Sequence, residues 1–159
     1  MTITSEDWTI ARTVVRRALR STLHCSIAST NPDGSAQVTP IGSVLLNGVG
    51  SGLYFDIFNK QLAANVDRDP RITIVAVDAG RIRWLRSLLR GRFASPPGVR
   101  LSGTVGPARP STPEEVARFH RIAGPLLRTR GGRLMWSRLP RVRDVTLDQV
   151  STLSIGRMT

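Results

Sequence analysis

The spacing of apolar residues changes along this chain from helical to extended, and the first segment is helical. Residues 5–22 place apolar side chains on one face and arginines on the other, which predicts an amphipathic helix capped by Thr4 or Ser5. Its apolar positions are Trp8, Ala11, Val15 and Ala18.

Short apolar or alternating runs, bounded by turn residues, predict β-strands in most of the remaining chain. The predicted strands are residues 23–29, 35–44, 53–58, 71–77, 99–105 and 144–155. Asn47-Gly48 is a hairpin signal, and Pro40 indicates an edge strand or a bulge because proline cannot donate to a ladder. Strands joined by tight turns, with few helices, favour a mainly β (α+β) fold: an antiparallel barrel with flanking helices, in one domain covering residues 1–159.

Three more segments have helical patterns. A short helix follows Lys60 and ends at Asp69-Pro70. A second begins at Thr112, where a capping box is expected, and Gly124-Pro125 is expected to stop it. The third, within residues 81–97, carries apolar side chains on one face and arginines around the rest. It is interpreted as a lid, a membrane-surface helix, a subunit contact or a helix packed on its own domain.

Composition and charge narrow the classes of partner. The net charge is +12, and residues 79–143 contain 15 arginines against two glutamates. Such a segment attracts anions, namely nucleic acid, anionic lipid, or a phosphorylated or polycarboxylate ligand. We expect no nucleic-acid partner, because few aromatic residues accompany the arginines. A single cysteine and the absence of a signal peptide favour a cytoplasmic protein.

Motifs for protein-borne catalysis are not found, so no catalytic residue is assigned. His24 and His120 have no second metal ligand near them in sequence, so no metal site is expected. The chain contains no glycine-rich phosphate loop and no nucleophile elbow. If the protein is an enzyme, a cofactor is expected to supply the reactive atom.

Lys60, the only lysine, lies between a predicted strand and a predicted helix. Asn59 is a suitable N-cap, so free amides near residues 60–62 and the lysine charge favour a phosphate site, with Gln61 and Asn65 on the same turn. In the preceding strand, Phe55 and Ile57 are predicted to share an apolar face, and a flat apolar wall beside a phosphate site suits a phosphorylated planar ring. The alternative is an ordinary solvated lysine.

Four stretches occur in an order that resembles the pyridoxamine 5′-phosphate oxidase-like, FMN-binding split β-barrel family. They are residues 26–42 (SIASTNPDGSAQVTPIG), residues 53–60 (LYFDIFNK), residues 65–72 (NVDRDPRI), and the strand 99–105 with the capped helix start after it. The resemblance implies a split barrel that forms a homodimer, with a cofactor at the subunit interface and a small-molecule substrate.

The resemblance also implies which residues bind the cofactor. The flavin ring is expected near Gln37, Thr39, Pro40, Ile41 and Gly42, and the phosphate near Phe58, Asn59 and Lys60, with Gln61 and Asn65 close by. FMN is the expected cofactor, in a flavin-dependent oxidoreductase. The alternative is the deazaflavin coenzyme F-420, whose oligoglutamate tail would suit the arginines.

The sequence differs from true pyridoxamine phosphate oxidases in showing no R-x-H substrate-binding element near its C-terminus. The vitamin B6 reaction is therefore not expected. Other members of the family bind haem, biliverdin or no known ligand. A rival class is a non-catalytic split-barrel protein that uses its arginine-rich face for an anionic ligand, lipid or nucleic acid.

Overall fold

The computed structural model describes residues 3–159, and this part of the chain forms five α-helices and seven β-strands. The helices are α1 (Ser5–Ser21), α2 (Lys60–Arg68), α3 (Arg81–Arg90), α4 (Pro113–Leu127) and α5 (Arg130–Trp136). The strands are β1 (Cys25–Thr30), β2 (Ala36–Ile41), β3 (Leu45–Leu46), β4 (Ser51–Phe55), β5 (Arg71–Val77), β6 (Gly98–Pro110) and β7 (Arg141–Thr152). A short 3-10 turn follows at Gly156–Met158.

All strand pairs are antiparallel, in the order β2-β1-β5-β6-β7-β4-β3. β2 and β3 are at opposite edges although only residues 42–44 separate them. Three residues span at most about 10 Å, so the sheet must curl until its edges approach each other. Ser43 in this connection is fixed to β4, since its Oγ accepts from the amide of Phe55 (3.1 Å) and donates to the Phe55 carbonyl (3.4 Å). The predicted antiparallel split barrel with flanking helices is confirmed, and Pro40 lies in an edge strand as expected.

Two apolar clusters hold the barrel together. The larger lies between α1 and the sheet, and all four predicted apolar positions of α1 are buried in it. Trp8 also donates from Nε1 to the Asn47 carbonyl (3.1 Å), which ties α1 to the β3–β4 hairpin. The smaller cluster lies under α4, where the Phe55 and Phe119 ring centroids are 5.5 Å apart.

Two predicted strands have wrong boundaries, and a buried charged residue lies at the end of one and the start of the other. β4 ends at Phe55 and not at Phe58, since Phe58 has a left-handed backbone (φ +63°) and Asp56 turns inward to a buried arginine. β7 begins at Arg141 and ends at Thr152, three residues before the predicted bounds at each end. The strand starts inside the arginine-rich segment, where Arg143 is buried.

Two predicted breaks do not end their elements. β6 continues past Gly106-Pro107 because a register shift between Val105 and Ala108 accommodates the extra residues. α4 continues through Gly124-Pro125 to Leu127. Pro125 lies in the last turn, and the helix ends two residues after it.

The helix predicted within residues 81–97 ends at Arg90, and Gly91 follows in the left-handed conformation that favours glycine (φ +67°). The helix packs on its own domain through Trp84 and Arg83, whereas its apolar side chains are exposed to solvent. Between residues 3 and 159, no helix combines the length and apolar character that crossing a membrane requires.

Candidate functional site

The candidate site lies where β4 turns into α2. Lys60 is the first residue of α2, exposed, and among residues 3–159 it makes no ion pair. Phe58 precedes it with a left-handed backbone and a side chain that is 76% exposed. A bulky residue in this conformation costs about 1–3 kcal/mol, so the surrounding contacts must enforce the turn.

The N-terminus of α2 has no side-chain cap. Asn59 is the N-cap residue, as predicted, but its Nδ2 donates to the Ile57 carbonyl (2.9 Å) and its side chain makes no capping bond. The first amides of the helix therefore point outward beside the Lys60 charge, and the helix dipole favours an anion there. Backbone amides and one unpaired ammonium group fit a phosphate group.

A network of amide side chains borders this helix end. Asn65 donates from Nδ2 to the Ser29 hydroxyl (3.1 Å) and to Oδ1 of Asn31 (2.9 Å). Gln61 donates from Nε2 to Oδ1 of Asn65 (3.1 Å), and Asn31 Oδ1 is 3.4 Å from the same nitrogen. The predicted pair Gln61 and Asn65 is thus brought together, but Asn65 is buried and its amide is used to hold α2 on β1.

The predicted residues of β2 are divided between the two faces of the strand. Gln37 shares a groove of about 620 Å³ with Gln61 and the Asn31–Asp33 turn. Thr39 is nearly buried on the same face, whereas Pro40 is exposed on the other. At Gly42 an added Cβ would lie 2.9 Å from the Leu23 carbonyl oxygen, so the close approach of these two backbone segments needs glycine.

Two predicted cofactor residues are inside the core. Ile41 is buried in the larger apolar cluster, and Phe55 is fully buried against Phe119 in the smaller one. Phe55 and Ile57 lie in the same cluster, as predicted, but both faces of β4 are covered, one by the α1 cluster and one by α4. Ile57 is half-buried, and Phe58 is the only residue from Phe55 to Phe58 that presents an exposed ring. A single chain therefore offers little open apolar wall at this site.

Arg143 supports the turn that carries Lys60, a role that no motif in the sequence indicates. It donates from Nε to Oδ2 of the buried Asp56 (2.8 Å) and from Nη1 to Oδ1 of Asp67 on α2 (2.7 Å). The hydrogen bond from Arg143 lowers the pKa of Asp67 below its usual value. The pairs join β7, the end of β4 and α2, and so hold the connection that includes Phe58 and Asn59. Asn31, in the turn between β1 and β2, is also outside the set of predicted site residues.

Among residues 3–159, no group of three or more histidine, cysteine or acidic side chains is arranged to hold a metal ion. Cys25 is buried in the core, where burial raises the pKa of its thiol to about 12. The chemistry that this arrangement supports is binding of an anion by Lys60 and the α2 amides, beside an amide-lined groove.

Comparison with known proteins places the fold in a known class. Over 99% of both chains, the structure superposes on HupZ of Group A Streptococcus (TM-score 0.60, 18% identity). It also superposes on an FMN-binding protein from Syntrophomonas wolfei subsp. wolfei (TM-score 0.63, 9% identity, 94% of this chain and 90% of that one). A structure named F420 reductase matches 88% of this chain and 94% of its own length (TM-score 0.55, 13% identity). These likenesses define the class of protein as a split-barrel fold.

The sequence identifies the family within that class. The family profile of pyridoxamine 5′-phosphate oxidase matches residues 12–141, which is most of the chain. This protein belongs to the pyridoxamine 5′-phosphate oxidase family, as the resemblance predicted. No curated protein matches its sequence.

Proposed function

We propose that this protein is an FMN-binding oxidoreductase that acts in the cytoplasm on a small-molecule substrate. The observation that carries the proposal is the unpaired Lys60 beside the uncapped amides of α2. Membership of the family and the likeness to an FMN-binding protein support FMN as the phosphorylated ligand.

In this proposal the residues of the chain bind and orient the cofactor. Lys60 and the first amides of α2 hold the phosphate, and the Asp56–Arg143–Asp67 pairs keep that turn in place. Gln37 and Gln61 line the groove beside it and offer amide groups to polar atoms of the ligand. Bound FMN would supply the hydride chemistry that these side chains do not provide.

The proposal includes a homodimer with the cofactor between subunits. Two exposed apolar side chains lie on β2 and beside Lys60, namely Val38 (61% exposed) and Phe58 (76% exposed). Because Ile41 and Phe55 are buried in the core, a flavin ring would need apolar contacts from elsewhere. A second chain packed against β2 and Phe58 would cover this surface and provide them.

Comparing FMN with riboflavin, which lacks the phosphate, tests the phosphate site. Lys60→Ala is expected to weaken FMN binding by about 1.5–3 kcal/mol, or roughly 10–150-fold, because it removes a charge-assisted hydrogen bond. Riboflavin binding should not change. Fluorescence titration of both ligands against wild type and variant measures the difference.

A matched control removes one positive charge elsewhere. Arg157 is exposed in the C-terminal 3-10 turn, and Arg157→Ala should leave FMN affinity within twofold of wild type. Equal weakening of FMN and riboflavin by Lys60→Ala would show that Lys60 supports the fold and not the phosphate. Unchanged FMN affinity would make Lys60 an ordinary solvated lysine.

The second candidate cofactor is the deazaflavin coenzyme F-420. The likeness to an F420 reductase favours it, as do the arginines along α3, which suit an oligoglutamate tail. The same titration decides between the two cofactors, because tight binding of F-420 without FMN binding would select the deazaflavin. Failure of both to bind the purified protein would contradict the oxidoreductase proposal and favour the non-catalytic class, a protein that binds an anion through its arginine-rich face.

A further inference from the structure

The helix α3 presents its apolar side chains to solvent. Its apolar positions are 59–79% exposed, and they are Ile82, Leu85, Leu88 and Leu89. None of these four residues belongs to either apolar cluster of the core. At 100° per residue, the residues Ile82, Leu85 and Leu89 form one stripe along the outer side of the helix, and Leu88 lies at its margin.

Contacts on the opposite side of α3 hold this orientation. Trp84 donates from Nε1 to the Asp78 carbonyl (2.7 Å), and its ring meets the Phe93 ring edge to face at 5.1 Å. Arg83 pairs with the buried carboxylate of Asp78 (2.8 Å), and Ser87 is buried. The polar and aromatic face is thus attached to the body of the protein, and the apolar stripe faces outward.

Uncompensated positive charge surrounds the stripe. An arginine-rich cleft of about 1010 Å³ lies between α1 and α3, and arginines from both helices and the following loop line it. They are Arg17, Arg20, Arg81, Arg83, Arg86, Arg90 and Arg92. The only acid in the cleft is Asp78, which is paired with Arg83, and no acidic residue occurs between Asp78 and Glu114.

An anionic membrane accommodates both the apolar stripe of α3 and the arginines around it. A second copy of the chain meeting α3 by two-fold symmetry would place arginines against arginines, with no acid on this segment to neutralise them. A nucleic acid would neutralise the arginines but leave the leucines in water, and the Trp84 and Phe93 rings are already engaged with each other. Helices with an apolar stripe and flanking arginines bind at the boundary of headgroups and acyl chains.

We propose that α3 docks this protein reversibly on membranes that contain anionic lipid. The stripe Ile82, Leu85 and Leu89 enters the headgroup region, and Arg86 and Arg90 contact lipid phosphates. The binding is peripheral, because the helix is attached by its other face. This inference does not depend on which cofactor the protein binds.

Vesicle co-sedimentation of the full chain tests the proposal. Wild type should bind phosphatidylglycerol–phosphatidylcholine vesicles and not phosphatidylcholine alone, with binding that weakens as salt rises. Two double variants separate the contributions. Leu85→Ser with Leu89→Ser, which leaves the charge unchanged, should lower the partition coefficient at least tenfold. Arg86→Gln with Arg90→Gln, which keeps the stripe, should lower it roughly 10–30-fold at low salt.

Matched controls come from α5 and the loop before it. Leu134 is exposed to a similar degree as Leu89, and Leu134→Ser should bind vesicles like wild type. Arg128→Gln with Arg130→Gln removes the same charge at exposed positions outside α3 and should reduce binding no more than twofold. All changed positions are exposed, so circular dichroism should show unchanged folding.

Three outcomes would overturn the proposal. Wild-type failure to bind anionic vesicles is the first. Undiminished vesicle binding by the serine double variant would show that the stripe does not enter the membrane, and that the attraction is general electrostatics. A fall in the oligomer mass of that variant in light scattering, with vesicle binding unchanged, would make α3 a subunit contact.

Discussion

At the scale of single residues, Tyr54 shows an unmatched polar atom in the core. Its hydroxyl is buried and has no hydrogen-bond partner among residues 3–159, and burial raises the pKa of this phenol above its usual value. A buried hydroxyl without a partner costs free energy that the ring's packing must offset.

Tyr54→Phe removes the unmatched hydroxyl and keeps the packed ring. We expect the free energy of unfolding to stay the same or rise by up to about 1 kcal/mol, measured by urea denaturation. Tyr54→Ala is the contrast, and its cavity should lower stability by about 3–5 kcal/mol. A loss of more than 1 kcal/mol in Tyr54→Phe would show that the hydroxyl has a partner, such as a buried water.

The sequence predicts Lys60 at the start of a helix because strand and helix signals meet there. It does not predict that Asn59 leaves the helix uncapped, since the choice between the α2 amides and the Ile57 carbonyl depends on the backbone turn at Phe58. Arg143 was missed for a related reason. An arginine is buried only when acids that are distant in sequence reach it, and Asp56 and Asp67 lie 87 and 76 residues before it.

At the scale of secondary-structure elements, Arg109 joins three of them. It extends from β6, and its Nη2 pairs with Oε1 of Glu115 at the start of α4 (2.6 Å). Its Nε pairs with Oδ2 of Asp144 on β7 (2.6 Å). Hydrogen bonds from Arg109 lower the pKa of both carboxyl groups below their ordinary values.

This contact predicts how stability depends on pH. A carboxyl group with a lowered folded-state pKa stabilises the protein above its unfolded pKa, and that stability is lost as pH falls through the folded-state pKa. We therefore expect the free energy of unfolding to fall below about pH 5. Arg109→Met should flatten this fall and lower stability near pH 7 by about 1 kcal/mol, a modest value because the side chains are partly solvated.

Arg100→Met is the control for Arg109. Arg100 is exposed and makes no ion pair within residues 3–159, so the substitution should leave the acid dependence unchanged. Urea denaturation at a series of pH values measures both variants. If the free energy of unfolding falls equally steeply with falling pH in Arg109→Met and wild type, the paired carboxylates do not cause the loss of stability in acid.

Elements with strong local signals were predictable. α1 and α4 start where their caps indicate, at Thr4 and Thr112, because a cap is a contact within four residues. The end of α4 was harder to predict, since the helix continues through Pro125. The helix α5 was not predicted, because it has too few apolar residues to show a helical period. β6 passes Gly106-Pro107 only because β7 shifts register beside it, and local sequence does not encode that partner.

At the scale of the whole molecule, the split barrel followed from the ordered resemblance and not from strand patterns alone. Strand pairing joins segments far apart in sequence, such as β4 with β7, and period-2 patterns do not specify a partner. The orientation of α3 is likewise not predictable from the sequence pattern alone. Its amphipathic pattern is clear in the sequence, but which face meets the protein depends on Asp78 and Phe93 outside the helix.

The proposed homodimer makes a prediction about Val38, which is exposed on the edge strand β2. Light scattering should give the mass of two chains for wild type, and Val38→Asp should give mainly monomer, because each chain would bury a charge at the interface. FMN affinity should fall with the dimer. Leu134→Asp, at an exposed position on α5, is the control and should remain dimeric with wild-type affinity. A dimeric Val38→Asp would place the interface elsewhere.

The position of β7 has a consequence for how the chain folds during synthesis. β7 lies between β6 and β4, so the β3–β4 hairpin near the N-terminus stays unpaired along one edge until residues 141–152 have been made. Until then, the two parts of the sheet on either side of β7, β2-β1-β5-β6 and β4-β3, are not paired with each other. The nascent chain therefore completes its barrel only after β7 has been made, and until then the open edge of β4 can pair with other chains.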